Sequence, residues 1–490
     1  MKVLLIVPPK TCQRSGSIKS HNVPLGLAYL AATLEKAGHE VKIVDAIVNG
    51  IDCVTDIDEE FVQVGDDSLI EKAMKDFNPN LVGISCMFTA FKNDAFRVAE
   101  IVKKINRETL VVMGGAHVSA NPTEVANQPY VDAAIYGEGE VTIVEIANGK
   151  QFQEIKGMAF KSGRSKRGKV IVTEPRELIK NLDDIPFPAR HLLDMEKYFS
   201  LPKTSYPFSM RYPIIEIVSS RGCPGKCVFC AVHTIWGRCW RARSAKNVVD
   251  EVEFCINKYG VKEINFTDDN ISLSKGRLVD ICKEIIRRGL DIRWQTPNGI
   301  AIWTLDKEVL VWMKKSGYYR AKFGLESGSP RTQKYIGKNI DLEHAKKVIR
   351  ECNKLGIWTA SSFIIGFPDE TLGDINDSIK FVKSTHLDFA RFLVAQPYAG
   401  TDLYDDFFEA GLLQETKESS VFYSTYDTKH FKAAQLRALR KSAQRKFLLS
   451  RIWLYLNPIY FFSEFIPKIS SREKFAYSYR SFFKLVFGSD

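Results

Sequence analysis

Three cysteines within eight residues, Cys223, Cys227 and Cys230 in the stretch SSRGCPGKCVFCAVHTIWGRCWRARS, are the densest group of chemistry-bearing side chains in the chain. Thiolates are soft ligands that select zinc, copper(I) or iron–sulfur clusters. Structural zinc takes four ligands, usually in paired C-x2-C or C-x2-C…H-x-H sets. The spacing here is C-x3-C-x2-C, with His233 or Cys239 as a candidate fourth ligand. A cubane cluster usually takes four cysteines, so three leave one iron with a free coordination position, the counterpart of the vacant site on a catalytic zinc.

The elements around the trio say how it is held. The apolar run PIIEIVSS (213–220) reads as a strand ending just before Cys223. Further strand-like runs follow at KEINFTD, IRWQT, YRAKFGLES, TASSFIIG and DFARFLVAQ, with helical segments between them. Six βα units in roughly 200 residues fall short of a full eight-unit barrel, so a partial barrel over 213–410 is expected. Chemistry in such folds gathers on loops at the strands' carboxyl ends, where the trio lies.

Residues 1–148 show a second alternation. KVLLIVP, VKIVDA, LVGISC, LVVMGG and DAAIYGEG are short strand-like runs, separated by helical patterns such as PLGLAYLAATLEKAG and AFRVAEIVKKIN. The expected product is an open parallel sheet covered on both faces, with a ligand at the strands' carboxyl ends. Small residues collect there: Gly83, Ser85, Gly114, Gly115, Gly137 and Gly139. They allow close backbone approach to a ligand, or serve as tight βα turns. The G-x-G-x-x-G dinucleotide fingerprint is absent after the first strand, which disfavours NAD. Residues 149–212 read as a connector, with a basic hairpin (FKSGRSKRGKVIV) and the proline-fixed crossing DDIPFPARHLL.

The chain has 490 residues and a formal charge of +11. From Lys429 onward there are thirteen Lys/Arg against three Asp/Glu, so nearly all of the excess belongs to the tail and nucleic-acid binding is not expected. The ten cysteines suit a reducing cytoplasm rather than a disulfide framework, and the scattered Cys12, Cys53, Cys86, Cys255, Cys282 and Cys352 suit core packing. Residues 447–490 carry thirteen aromatics, but the longest uncharged stretch is far too short to span a bilayer. Aromatic and basic residues together suit an interfacial segment, so peripheral contact with the inner face of a membrane through 429–490 is an expectation. Packing of the apolar face on the barrel is the alternative.

With its C-x3-C-x2-C loop after the first strand of a partial barrel, and Phe229 just before the last cysteine, the chain resembles the radical S-adenosylmethionine superfamily. RARSAKNVVDEVEF, FTDDN, FGLESGS and FIIGFPDET, with the N-terminal PLGLAYLAATLEKAGHEV, MGGAH and YGEGE, are similar to its cobalamin-binding branch, which includes hopanoid and natural-product C-methylases and the anaerobic magnesium-protoporphyrin ester cyclase. The resemblance covers about residues 1–410. It implies an α/β fold: a Rossmann-like cobalamin domain (1–148), the connector, a partial (β/α)6 barrel (213–410) and a helical C-terminal region (411–490).

It also implies a [4Fe-4S] cluster on the cysteine trio, S-adenosyl-L-methionine and cobalamin as cofactors, and an electron donor such as flavodoxin or ferredoxin. Phe229, Arg243, Asp268, Asp269, Glu326, Ser327, Gly366 and Phe367 are then the expected S-adenosylmethionine contacts, and the six small residues above the cobalamin contacts. On the residues alone, Asp268 and Asp269 could instead cap a helix, Ser244 suits an N-cap, and GFP a turn. Cobalamin proteins with D-x-H-x-x-G place a histidine below cobalt. The corresponding VDAIVNG (44–50) has none, and His117 suits a helix cap or loop better than a cobalt ligand. The implied activity is C-methylation of an unactivated carbon of a lipid-like or natural-product substrate. A radical cyclase or oxidase without methyl transfer is the alternative, and an iron–sulfur or cobalamin sensor the reading from another class.

Overall fold

The computed structural model describes residues 1–14, 21–162, 168–201, 209–413 and 426–487, with side chains described through residue 480. The chain divides into two compact units, one comprising Met1–Pro207 with Thr234–Gly237, the other most of the remainder from Phe208.

The first unit is built on a seven-stranded sheet. Its strands are β1 (Lys2–Val7), β2 (Glu40–Asp45), β3 (Leu81–Ser85), β4 (Leu110–Gly114), β5 (Ala133–Ile135), β6 (Met158–Lys161) and β7 (Val170–Val172), in the order β7-β6-β5-β4-β3-β1-β2. β1 to β5 run parallel, as their continuous apolar sequences require when both faces are covered. Leu4 and Ile6 of β1 pack with Val82, Ile84, Val98 and Val102 on one face, while Val3 and Leu5 meet Leu27, Ala31 and Val112 on the other. The strand order reverses between β1 and β3, which puts a crevice at their carboxyl ends.

The basic hairpin of the connector is part of this sheet. β6 adds antiparallel to β5, and β7 to β6, while the hairpin tip at 163–167 lies outside the described residues. β5 would otherwise leave a free sheet edge, and the hairpin pairs with it.

The second unit holds six parallel strands in sequential order: β8 (Ile214–Ile217), β9 (Glu263–Phe266), β10 (Arg293–Gln295), β11 (Tyr318–Glu326), β12 (Trp358–Ile365) and β13 (Phe389–Val394). Helices between them cover the outer face, Ser244 capping Ala245–Tyr259 through the Asn247 amide at 3.1 Å. Sequential parallel pairing without closure between first and last strands is the partial barrel expected from six βα units.

The C-terminal helices belong to this unit's core. Arg451, in the helix Ala433–Leu456, donates to the carbonyls of Thr385 and Leu387, each at 2.8 Å. Lys468 is fully buried against Asp388, at 2.5 and 2.6 Å, and also donates to Asn353. Tyr477 packs on Trp358 and Tyr319 at the amino ends of β11 and β12. Part of the tail's charge and aromatic content is therefore internal. Leu449, Ile452, Trp453, Leu456, Ile459 and Phe462 remain exposed. Among the described residues, no helix is long and apolar enough to cross a membrane.

Candidate active site

The cysteine loop is rooted by backbone. After β8 the chain forms a two-residue antiparallel ladder, Ser220 with Ala242 and Arg221 with Arg241, so residues 222–240 leave and return at one place. Asp268, just beyond β9, is buried beneath that root. Its carboxylate accepts from the Ser219 amide at 3.2 Å and from the hydroxyls of Ser219 and Ser220 at 2.7 and 2.5 Å. Asp269 accepts from the Gly222 amide at 2.9 Å, and burial pushes its carboxyl up to about 6. The helix-cap alternative for these acids is not realised. Both hold the loop.

Arg243 has the same task. Its guanidinium is buried, donating to Asn247 Oδ1 at 2.6 Å, the Val218 carbonyl at 3.0 Å and Glu251. Within the loop, a Cβ at Gly225 would stand 3.3 Å from Cys223 Sγ and 3.8 Å from Cys227 Sγ. The glycine thus leaves open the space beside two of the three sulfurs, where a polynuclear cluster has room. His233 Nδ1 is 2.9 Å from the Cys230 carbonyl, and Cys239 is exposed. Among the described residues, no three His, Cys, Asp or Glu side chains converge on a point fit for a single ion. Three closely spaced cysteines match a cluster with one open iron more nearly than the four ligands of a structural zinc. Burial pushes the Cys230 thiol up to about 11.

A second layer backs the loop. Phe229 lies 6.5 Å from Phe367, which is buried with Ile336, Leu403 and Phe407. Phe367 therefore supports the loop from behind. Gly366 has φ +88° and donates to Glu370 at 2.6 Å, the turn alternative. Ser327 is buried in the turn after β11, sharing a hydrogen bond with Ser378 at 3.0 Å. Glu326, at φ +63°, ends β11 next to a register shift and pairs with Lys338 at 3.0 Å.

Lys338 was not foreseen from the sequence. Burial works against its charge, yet Glu326 and then Cys227 hold its ammonium above the usual lysine range. Its Nζ lies 6.0 Å from the Phe229 ring centroid. A Cβ at Gly324 would fall 2.6 Å from both Lys338 Nζ and Glu326 Oε1, so the glycine in FGLES clears space for the ion pair. Next to it, a Cβ on Gly337 (φ +70°) would fall 2.6 Å from the Lys226 carbonyl of the cysteine loop. Two glycines that look like punctuation mark this pair.

In the first unit the six small residues separate into two groups. A Cβ at Gly83 would meet Leu5 at 2.7 Å, at Gly115 the Cys86 carbonyl at 2.5 Å, and at Gly139 Leu30 at 3.2 Å, so these three serve internal packing. Gly114 and Gly137 have no atom nearer than 3.8 Å at that position, and Ser85 is partly exposed at the end of β3. A Cβ at either glycine would make only ordinary van der Waals contact, so internal packing does not demand a glycine at 114 or 137. His117 is buried in the helix Ala116–Ala120 with Nδ1 3.2 Å from Thr89 Oγ1, and burial lowers its pKa.

Asp45, at the end of β2, caps the helix Ala46–Asn49 and accepts from Tyr198 at 2.5 Å. Although VDAIVNG has no histidine, His21 Nε2 reaches Asp45 at 3.3 Å from elsewhere in the chain. Four scattered cysteines, Cys86, Cys255, Cys282 and Cys352, are buried as expected; Cys12 is partly exposed and Cys53 exposed in a turn.

Both units are similar to known domain families. The Radical SAM superfamily model matches residues 217–382, and the B12 binding domain model matches 15–147. An uncharacterised methyltransferase of Pyrococcus horikoshii is 36% identical over 92% of this chain and 93% of its own length. Cytidylyl-2-hydroxyethylphosphonate methyltransferase of Streptomyces wedmorensis is 33% identical over 87% of this chain and 84% of its own. The structure of the radical S-adenosylmethionine methyltransferase TsrM from Kitasatospora setae, with cobalamin and a [4Fe-4S] cluster bound, superposes with a TM-score of 0.68 at 18% identity, over 91% of this chain and 81% of that one.

Proposed function

This chain belongs to the cobalamin-binding radical S-adenosylmethionine enzymes, and from that premise we propose that it is a C-methyltransferase acting on an unactivated carbon of a lipid-like or natural-product substrate. The observation that carries the reading is a cysteine trio on the first βα loop of a six-stranded partial barrel, in a chain whose other unit reverses its strand order between β1 and β3. The names of the two most extensively aligned relatives above are both those of methyltransferases. The cofactors are a [4Fe-4S] cluster, S-adenosyl-L-methionine and cobalamin.

Cys223, Cys227 and Cys230 are assigned to the cluster, and Ser85, Gly114 and Gly137 to the cobalamin crevice. When bound, the cluster and S-adenosylmethionine supply hydrogen-atom abstraction, and cobalamin supplies the methyl transfer. Asp268, Asp269 and Arg243 hold the cysteine loop on the barrel rim, so we assign them positioning rather than contact. Glu326, presented by its left-handed backbone and steadied by Lys338, is the carboxylate best placed to meet S-adenosylmethionine. Phe229 and Phe367 exclude water behind the loop.

We further propose peripheral contact with the inner face of a membrane. Leu449, Ile452, Trp453 and Leu456 follow one another at helical spacing, Ile459 and Phe462 continue in the short helical segments after Asn457, and the exposed Arg437, Lys441 and Arg445 precede the first four on their helix. Apolar tips with a basic stem suit an anionic interface.

The test of the activity is anaerobic turnover of the reconstituted protein, supplied with a reductant and extracts of its producing cells. Production of 5′-deoxyadenosine and S-adenosylhomocysteine together, each lost in Cys227→Ala, is expected. 5′-Deoxyadenosine without S-adenosylhomocysteine would reassign the chain to cyclisation or oxidation. Formation of neither would favour the sensor reading.

A further inference from the structure

β3 ends at Ser85, and the chain just beyond it exposes two large apolar side chains in succession. Met87 is 51% and Phe88 53% exposed. Scattered surface hydrophobics are ordinary. These two are adjacent, and they stand at the carboxyl end of a strand where the strand order reverses beside β1.

Their exposure does not come from a slack backbone. Cys86, immediately before them, is buried; its amide donates to the Gly114 carbonyl at 2.8 Å and its carbonyl accepts from the His117 amide at 3.2 Å. Immediately after them, the Phe91 amide donates to the Phe88 carbonyl at 3.0 Å, closing the helical turn Thr89–Phe91 that leads into the helix Lys92–Ile105. Thr89 Oγ1 lies 3.2 Å from Nδ1 of His117, whose side chain is fully buried. The Phe88 ring is set edge-on to Phe91, with centroids 6.0 Å apart. The loop is fastened on both sides of an apolar pair that it holds outward.

The surroundings restrict what the pair can meet. No charged residue lies between Ser85 and Lys92, and Lys92 is itself paired with Glu124 at 3.0 Å. An anionic ligand finds no counter-charge in such a loop. Hydroxyls flank the pair instead, Ser85 before it and the exposed Thr89 after it. At the ends of the next strands, Gly114 and Gly137 present no side chain, although packing does not demand glycine at either position. A broad, flat, apolar ligand with hydrogen-bonding groups at its edge matches this combination. The macrocycle of cobalamin, ringed by amides, has that form, and the B12 binding domain match at 15–147 includes the loop.

We propose that Met87 and Phe88 form the platform on which the corrin macrocycle rests, with Ser85 and Thr89 placed for amides at its edge. The proposal rests on cobalamin as the cofactor of this unit and not on which group the enzyme transfers. The flexible thioether of Met87 adapts to the uneven surface of the ring, and Phe88 supplies area.

Two probes are titrated into the full chain by absorbance: hydroxocobalamin, and cobinamide, which keeps the macrocycle without the nucleotide tail. Met87→Ser combined with Phe88→Ser should weaken both about tenfold or more. Met87→Leu combined with Phe88→Leu should stay within about threefold of the parent, because apolar area and not a particular atom is what the platform supplies. Phe408→Ser, at another exposed position, should bind as the parent does. Thermal melts without cobalamin should be unchanged in every variant, which separates lost binding from lost folding. A footprint reads the contact directly. In the full chain before cluster reconstitution, mild peroxide oxidises exposed methionines, and mass spectrometry compares Met87 with Met1, which is 42% exposed. Bound hydroxocobalamin should slow oxidation of Met87 several-fold and leave Met1 unchanged. Weakened cobalamin binding with unchanged cobinamide binding would move the pair to the nucleotide tail and overturn the platform. So would unchanged affinity in the serine variant, equal oxidation of Met87 with and without cobalamin, or a parent that fails to bind cobinamide. The titrations contain neither S-adenosylmethionine nor reductant, so failure of the methyl-transfer reading leaves their outcome untouched.

Discussion

Lys338 Nζ lies 3.0 Å from Glu326 Oε1, and the pair occupies the space that any side chain at position 324 would take. A cation is thereby kept beside Cys227 without competing for it as a ligand. An ammonium near a cluster that must accept an electron stabilises the reduced form.

Lys338→Met should lower the midpoint potential of the reconstituted cluster by on the order of 50–100 mV, the effect of one charge several ångströms away at an effective dielectric constant near 20. Redox titration followed by electron paramagnetic resonance measures it. Gly324→Ala should move the potential in the same direction with little change in Tm, because the atoms it meets are the far ends of flexible side chains. Lys338→Arg should restore the potential. An unchanged potential in Lys338→Met would remove its electrostatic role.

Burial pushes Glu263 up to about 7, against the hydrogen bonds from Arg211, Tyr319 and Met210. A carboxyl with a raised folded pKa binds its proton more tightly in the folded chain. Its contribution to stability is complete below the unfolded pKa of 4.5 and is lost as pH rises toward 7. The loss is on the order of 3 kcal/mol. Glu263→Gln cannot titrate, so its Tm relative to the parent should rise between pH 5 and 7. Parallel profiles for the two proteins over that range would refute the assignment.

Lys468 and Asp388 form a fully buried pair. Removing one partner leaves an uncompensated charge in the core, a cost of about 3–5 kcal/mol. Lys468→Met should therefore unfold at markedly lower denaturant concentration. Lys468→Met combined with Asp388→Asn should recover much of the difference. Truncation after Tyr426 should destabilise the barrel for the same reason, besides removing Tyr477 from Trp358.

The exposed stripe of the C-terminal helices can be tested without touching that pair. Trp453→Ser, Ile459→Ser and Phe462→Ser together should leave the unfolding free energy within about 1 kcal/mol of the parent, since all three side chains are largely exposed. Co-sedimentation with phosphatidylserine vesicles should fall sharply. The parent's binding should weaken with salt but persist in part, because screening acts on the basic stem and not on the apolar tips. A parent that ignores such vesicles at low salt ends the membrane proposal.

Much of the architecture was legible because the determinants are local. The apolar run Lys2–Val7 announces a buried parallel strand, and the spacing of Cys223, Cys227 and Cys230 needs no tertiary information. What escaped depends on register and distance. The register of β11 against β10 shifts between Tyr318 and Arg320, and nothing in YYRAKFGLE marks it. His21 reaches Asp45 from outside VDAIVNG, so the local motif looked empty. Asp268 and Asp269 read as cofactor contacts or helix caps, because their donors at Ser219, Ser220 and Gly222 lie nearly fifty residues earlier. The tail's basic excess suggested a segment lying on a membrane surface, whereas Arg451 and Lys468 are spent on internal carbonyls and a carboxylate.

The ladder of Ser220–Arg221 with Ala242–Arg241 closes the cysteine loop by protein contacts alone. In many small metalloproteins the ion is what makes the chain fold. Here the root of the loop is secured by Asp268, Asp269 and Arg243, none of which is a metal ligand. A root held by hydrogen bonds that involve no metal ligand predicts that the chain folds before iron and sulfide arrive, so that oxidative loss of the metal leaves a folded molecule that can be recharged. Equal Tm of the barrel with and without the metal is the expected outcome.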